Sequence, residues 1–188
     1  NVSWQKSAML YLHDLIYMLT AIMLVFLLLF RVVIVSGSSM YSTLWDGDWL
    51  LVVSSVFYQN PKQGDIIISS KDSFKNGEPI VKRVIADEGQ TVDIDFEAGI
   101  VYVDGAELKE DYIYNLTTTY EGVDFPLTVE KGCIFVMGDN RRESKDSRNP
   151  EIGLIDKREI LGKAIFLMFP GTNEGYSQRE FNRIGALS

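Results

Sequence analysis

The sequence predicts a mostly β, antiparallel domain preceded by one apolar N-terminal helix of membrane length. Three observations predict it. From Leu15 to Phe30 the chain reads LIYMLTAIMLVFLLLF, with no charge between Asp14 and Arg31. After Gly37, short apolar runs alternate with Gly, Pro, Asn and Asp turn residues, the punctuation of strands. No helical period of any length follows the first segment.

The apolar run is about 16 residues, roughly 24 Å as a helix and a little short of the usual ~20-residue span. Val32 to Val35 continue its character and Arg31 can snorkel to the interface, so a transmembrane anchor is expected over 15–35. That leaves 1–14 as a leading segment and 36–188 as the β domain. A buried core helix would need an apolar partner, and none is apparent for a run that is apolar all round. A cleaved signal peptide would need a small-x-small site soon after the run, whereas a serine-rich stretch begins there almost at once. Lys6 and Arg31 flank the run and leave its orientation open. The chain starts at Asn1 and not at a methionine, so further N-terminal residues are expected to precede it.

Strands are expected at Trp49 to Phe57, then at Asp65 to Ser69 behind the turn Pro61-Lys62-Gln63-Gly64. Ile80 to Ala86 and Thr91 to Phe96 follow. Phe96-Glu97-Ala98-Gly99-Ile100 reads as a hairpin turn into Ile100 to Val103, closed by Asp104-Gly105. Cys133 to Met137 and Lys163 to Phe169 complete the set. Glu110 to Phe125 is polar and aromatic without alternation and reads as a long loop or an irregular hairpin.

At 188 residues the chain has room for one ordinary domain plus an anchor. Its net charge of −8, gathered almost wholly after the anchor, excludes the basic face a nucleic-acid binder needs and serves solubility. One cysteine, Cys133, cannot form an internal disulfide, and its apolar neighbours make it a small buried hydrophobe. The single histidine, His13, lies at the edge of the anchor, far from any carboxylate cluster, so neither metal nor organic cofactor is expected.

Two separated signatures carry chemistry: Ser36-Gly37-Ser38-Ser39-Met40-Tyr41-Ser42-Thr43-Leu44 and Ile80-Val81-Lys82-Arg83-Val84-Ile85. A serine hydroxyl is a weak nucleophile until a base takes its proton. A lysine in apolar surroundings can be that base, because desolvation disfavours the ammonium form.

Taken in order, Ser39-Met40-x-x-Thr43-Leu44, Gly64-Asp65-Ile66, Lys82-Arg83-Val84 and Gly138-Asp139-Asn140-Arg141-x-x-Ser144-x-Asp146-Ser147-Arg148 resemble the bacterial type I signal peptidases. These are Ser-Lys proteases that remove signal peptides from exported proteins. The likeness runs from the anchor through Gly162-Lys163-Ala164, and the stretch from Gly138 to Arg148 is its most specific part. It implies Ser39 as nucleophile, with Ser36 and Ser38 as neighbours of the same type, and Lys82 as general base. Ser144 matches the family serine that hydrogen-bonds the lysine. Asp146 and Arg148 match an ion pair bracing the site. The backbone N–H of Ser39 would serve the oxyanion hole. Some members add a serine hydroxyl where this chain has Gly37.

Substrate would bind as an extended strand against Ile34, Val35 and Gly37 on one side and Ile80 and Val81 on the other. Met40, Leu44 and Val81 match positions lining shallow pockets for the small residues of an Ala-x-Ala site. The implied partners are signal-peptide-bearing preproteins and the lipid bilayer, with no nucleic acid. The implied location is the bacterial cell membrane, single-pass, with 1–14 cytoplasmic and 36–188 outside.

Ser42 stands where the family usually has proline, and Ala86-Asp87-Glu88-Gly89-Gln90 replaces a usual Gly-x-Pro-Gly-Asp turn. The large inserted domain and second membrane helix of many Gram-negative members are missing, which favours a Gram-positive form. Two other readings share parts of the pattern. Self-cleaving repressors have the Ser-Met, Asp-Gly-Asp and Lys-Arg elements, but carry a DNA-binding domain where this chain has an apolar run. Signal-peptidase-like assembly factors of pilus systems bind exported proteins with little or no catalysis, and have lost residues that Ser39, Lys82, Ser144, Asp146 and Arg148 match here.

Overall fold

A computed structural model describes residues 2–71, 74, 77–172 and 179–187; Asn1 lies outside them. The N-terminal helix α1 spans Val2–Leu29, and its Lys6–Leu29 portion is long and apolar enough to cross a membrane. None of that stretch is buried, so it is not a core helix of the β domain.

The helix ends earlier than the sequence suggests. Phe30–Ile34 forms strand β1, paired in continuous antiparallel register with β2 (Trp49–Ser54), from Phe30 opposite Val53 to Ile34 opposite Trp49. The expected anchor over 15–35 thus runs past the helix into the β domain. Val32, Val33 and Ile34 are β-branched and favour the pleated surface, and β2 supplies hydrogen-bond partners there. The expected strand at Trp49 to Phe57 ends at Ser54, where the Phe57 N–H donates to the Ser54 carbonyl at 2.9 Å and turns the chain.

The main sheet also contains β3 (Ile66–Ser70), β4 (Pro79–Asp87), β9 (Cys133–Met137), β10 (Ile155–Asp156), β11 (Ile160–Phe169) and β12 (Gly185–Ala186). Its order is β1-β2-β11-β3-β4-β9-β10, with β12 on β11. A second sheet, β7-β6-β5-β8, is built from β5 (Thr91–Asp95), β6 (Ile100–Val103), β7 (Ala106–Glu107) and β8 (Leu127–Thr128). Every pairing is antiparallel, as the fold class requires. Residues 110–125 contain no strand and run as a long loop.

Two apolar clusters matter for the site. In one, Met40 and Leu44 join Val35, Leu50, Val52, Ile66, Ile68, Ala164 and Leu167. In the other, Ile85, Ala86, Phe135 and Met137 of the main sheet meet Val92, Ile94, Val101 and Val103 of the second. Each buried Val, Leu or Ile contributes about 1.5–3 kcal/mol. Val81 of β4 packs against the first cluster and Ile85 and Ala86 belong to the second, with a register shift between Val84 and Ala86. Cys133 is half-buried against the second cluster, and burial pushes its thiol up.

Candidate active site

Beyond β1 the chain leaves the sheet and loops back on itself. The Val35 N–H donates to the Asp48 carbonyl (2.8 Å), and the Gly47 N–H donates to the Val35 carbonyl (2.9 Å). Gly37 sits at φ +90°, a left-handed conformation that favours glycine, and its N–H donates to Asp46 Oδ1 at 2.7 Å. The turn that follows is held by Leu44 N–H on the Met40 carbonyl (2.8 Å) and Trp45 Nε1 on the Ser42 carbonyl (3.1 Å). Met40 and Leu44 anchor it in the core.

Ser39 lies on that loop, and Lys82 lies on β4 opposite Ile67 of β3. Their side chains meet, with Lys82 Nζ 2.8 Å from Ser39 Oγ and also donating to the Val81 carbonyl at 3.0 Å. Lys82 is only 4% exposed, and the pairing joins residues 43 positions apart in the chain. A hydroxyl held against a buried amine is an arrangement that can hand its proton to that amine.

The segment from Gly138 to Arg148 packs against the back of the Ser39 loop. The Asn140 N–H donates to the Ser39 carbonyl (3.0 Å), and Asn140 Nδ2 donates to the Ser38 carbonyl (3.2 Å). Gly138 is required by space: a Cβ there would stand 2.2 Å from Ser144 Oγ and 2.4 Å from the Ser39 carbonyl oxygen. Ser144 is buried beside it, but among the described residues its Oγ makes no hydrogen bond, so the expected bond to the lysine is not formed in this structure.

Asp146 and Arg148 form a fully buried fork, Nε to Oδ1 and Nη2 to Oδ2, both 2.8 Å. Asp146 Oδ2 also accepts from the Gly138 N–H at 3.0 Å, which carries the brace to the glycine. Burial works to raise the Asp146 carboxyl, but the Arg148 hydrogen bonds and charge outweigh it and hold the group below its usual range. Burial likewise works against the Arg148 cation, and Asp146 more than offsets it. Nearby Glu121, 3.2 Å from Arg148, is raised by burial and by the Asp146 charge.

Sequence reasoning passed over a second set of braces. Arg83 makes a buried fork to Asp139 (2.9 and 2.8 Å), which also accepts from Thr43 Oγ1 at 2.6 Å. Tyr112 lies under the guanidinium, 4.0 Å from the ring centroid. Arg141, fully buried, donates to the Gly138 carbonyl, Glu110 and Thr117 Oγ1. Asn115 Nδ2 donates to Asn140 Oδ1 at 3.0 Å. The 110–125 loop thus clamps the segment that positions Ser39. A charged cluster of this kind reads as an ordinary solvated loop, and the signal against that was the spacing of Asp139, Asn140 and Arg141 within one motif.

A groove of about 650 Å³ is lined by Ser39 and Lys82. One wall is Val33 to Ser38, the other Glu78 to Val81. β1 pairs only with β2, and the β4–β9 ladder begins at Arg83, so both walls present edges open to another strand among the described residues. The expected substrate-binding residues Ile34, Val35, Gly37, Met40, Ile80 and Val81 all line this groove. Leu44 does not. It is fully buried in the core beneath the turn, so its place is structural.

An open groove with a strand edge on each wall and a serine–amine pair among its lining residues has the shape to take an extended polypeptide beside that pair. Residues 8–169 match the model of the family described as signal peptidase, peptidase S26. The chain is 40% identical over 150 residues to signal peptidase I of Bacillus amyloliquefaciens, covering 76% of this chain and 75% of that one. It is 41% identical over 150 residues to signal peptidase I of Bacillus licheniformis, covering 76% and 78%. A crystal structure of a signal peptidase I from Enterococcus faecalis V583 aligns with TM-score 0.46 at 31% identity, over 55% of this chain and 96% of that one. The chain belongs to the signal peptidase family, peptidase S26.

Proposed function

We propose that this protein is a membrane-anchored serine endopeptidase that removes N-terminal signal peptides from exported preproteins. The observation that carries the reading is the 2.8 Å contact between Ser39 Oγ and Lys82 Nζ in the groove. Substrate lies between the two open edges as an added strand, with small side chains in the pockets about Met40 and Val81.

Ser39 Oγ attacks the scissile carbonyl while its proton passes to the neutral amine of Lys82. The oxyanion accepts from the Ser39 N–H. The C–N bond then breaks as Lys82 returns that proton to the leaving amine. Lys82 next deprotonates a water, which attacks the acyl-enzyme; the ester C–O bond breaks and Ser39 regains its proton. Asp146, Arg148 and Gly138 hold the Ser39 loop against the lysine, and Ser144 stands ready to receive the amine as it moves. A neutral amine is the working base, so activity rises with pH on the alkaline side of neutral.

The Lys6–Leu29 helix is about 36 Å long at 1.5 Å per residue, enough to span a bilayer. Ser39 follows it closely in sequence, which keeps the site near the membrane surface on the extracytoplasmic side. The test is cleavage of a preprotein bearing an Ala-x-Ala site by the detergent-solubilised chain, beside Ser39→Ala. Cutting by the parent alone is the expected result. Equal cutting by both overturns the assignment of Ser39, and cutting by neither favours a binding role of the pilus-factor kind.

A further inference from the structure

The groove is not electrically neutral near Ser39. Glu143 and Lys145 line it with Ser38 and Ser39, and Glu78, just before β4, lies about 13 Å from Lys82 along an extended chain. The Lys145 charge is taken up by Glu151 at 3.2 Å. Glu143 is held by neutral groups instead: Ser38 Oγ donates to its Oε2 at 3.1 Å and Asn140 Nδ2 at 3.3 Å. Among the described residues it forms no ion pair. Those two contacts fix it. Asn140 is itself seated by Asn115 and by its own N–H on the Ser39 carbonyl, so the Glu143 carboxylate is pinned one residue from Ser39 rather than waving in solvent.

We propose that Glu143 is a specificity-determining residue that reads substrate charge beside the scissile bond. It favours a basic side chain there and disfavours an acidic one. The proposal rests on the reading of this groove as the peptide-binding site. An extended substrate turns alternate side chains to opposite faces. The two small residues before the cut enter the pockets. The residue between them and the first residue after the cut point away, and these are the side chains that meet the carboxylate. Because Glu143 is exposed at the rim, the effect is modest and screened by salt.

The experiment measures kcat/KM on peptides carrying Lys, Gln or Glu, first between the two alanines and then directly after the cut. For the parent at low salt, Lys over Glu is expected to be favoured about three- to fivefold at one or both positions, as an exposed charge pair allows. The ratio collapses toward one in Glu143→Gln and inverts in Glu143→Lys. For the parent it also shrinks at about 0.5 M salt, where the Debye length is a few ångströms, a readout that needs no variant. A ratio of one in the parent overturns the proposal, and so does the same ratio in parent and Glu143→Gln. Failure of the parent to cut even the Gln peptides is a different result: it overturns the peptidase reading of the groove, and this inference with it.

Discussion

The two halves of the serine–lysine pair are held in different ways. Lys82 sits in the nine-residue strand β4, laddered to β3 from Pro79 to Arg83 and to β9 from Arg83 onward. Ser39 sits on no strand. Its loop is fixed by its own turn bonds, by Met40 and Leu44 in the core, and by a polar segment whose buried ion pairs lie behind it. The lysine takes its rigidity from a sheet and the serine from a hydrogen-bonded brace. A sheet absorbs the loss of one side chain, whereas a buried brace does not, because each group removed strands a partner in a dry interior. The two sides should therefore fail differently.

The largest effect tests the sheet side. Lys82→Met keeps the apolar stem and removes the amine. We expect kcat/KM to fall about 10⁴-fold or more, as for other members of a catalytic set, with the melting temperature little changed, since an apolar side chain of similar length replaces a buried polar one in an intact ladder. A melting temperature lowered by many degrees would show that the strand depends on its lysine and would end the contrast.

Next comes the brace. Arg148→Ala leaves Asp146 buried and unpaired, and breaking such a pair costs about 3–5 kcal/mol. Thermal unfolding should show it as a large loss of stability together with activity. The pH dependence follows from the lowered Asp146 carboxyl. A folded-state value below the unfolded one, about 3.9, gives stability that is full above that pH and is lost as pH falls through the folded value. In Asp146→Asn that acid-side slope is missing, while overall stability is lower at neutral pH.

Gly138→Ala is smaller and more local. Its Cβ would overlap Ser144 Oγ and the Ser39 carbonyl oxygen at 2.2 and 2.4 Å, so the Ser39 loop must shift. Overpacking of this kind costs about 1–3 kcal/mol. Activity should fall further than stability, because the backbone that moves carries Ser39 and the strand behind Lys82 stays put. Equal losses in both would place the clash in the core and not in the loop.

The same contrast decides what could be read from the sequence. The strands around Lys82 were legible, because β3, β4, β6 and β9 are largely apolar runs of 4–9 residues and β5 alternates, all bounded by turns. β1 was not, because Phe30–Ile34 continues an apolar run and nothing local separates the end of a helix from a buried strand. The two-residue strands β7, β8, β10 and β12 are too short to carry a pattern. Leu44 beside the serine motif looked like a pocket residue, and only the packing shows that it lies underneath. The brace was the least legible part. Arg141 reaches Glu110 across 31 positions and Arg83 reaches Asp139 across 56, and no local period records such partners. The motif of residues 138–148 pointed to the region, and its partners on the 110–125 loop came only from the fold.

That loop gives the finest test of the comparison. Asn115 touches neither Ser39 nor Lys82. Its Nδ2 donates to Asn140 Oδ1 at 3.0 Å, and its Oδ1 accepts from the Arg142 N–H at 3.1 Å, which turns the Asn140 amide toward the Ser38 carbonyl. Asn115→Asp keeps the acceptor for Arg142 and loses the donor, so it removes one net hydrogen bond of about 1 kcal/mol, or about fivefold in kcat/KM if all of it acts on the loop. Asn115→Ala removes both and should cost more, with KM and kcat both affected because Ser38 and Ser39 both line the groove. If Asn115→Asp leaves both parameters unchanged, the brace ends at Asn140, and the serine side is held by fewer contacts than its hydrogen bonds suggest. If it costs as much as Gly138→Ala, the 110–125 loop shares fully in holding Ser39, although Asn115 bonds to neither Ser39 nor Lys82.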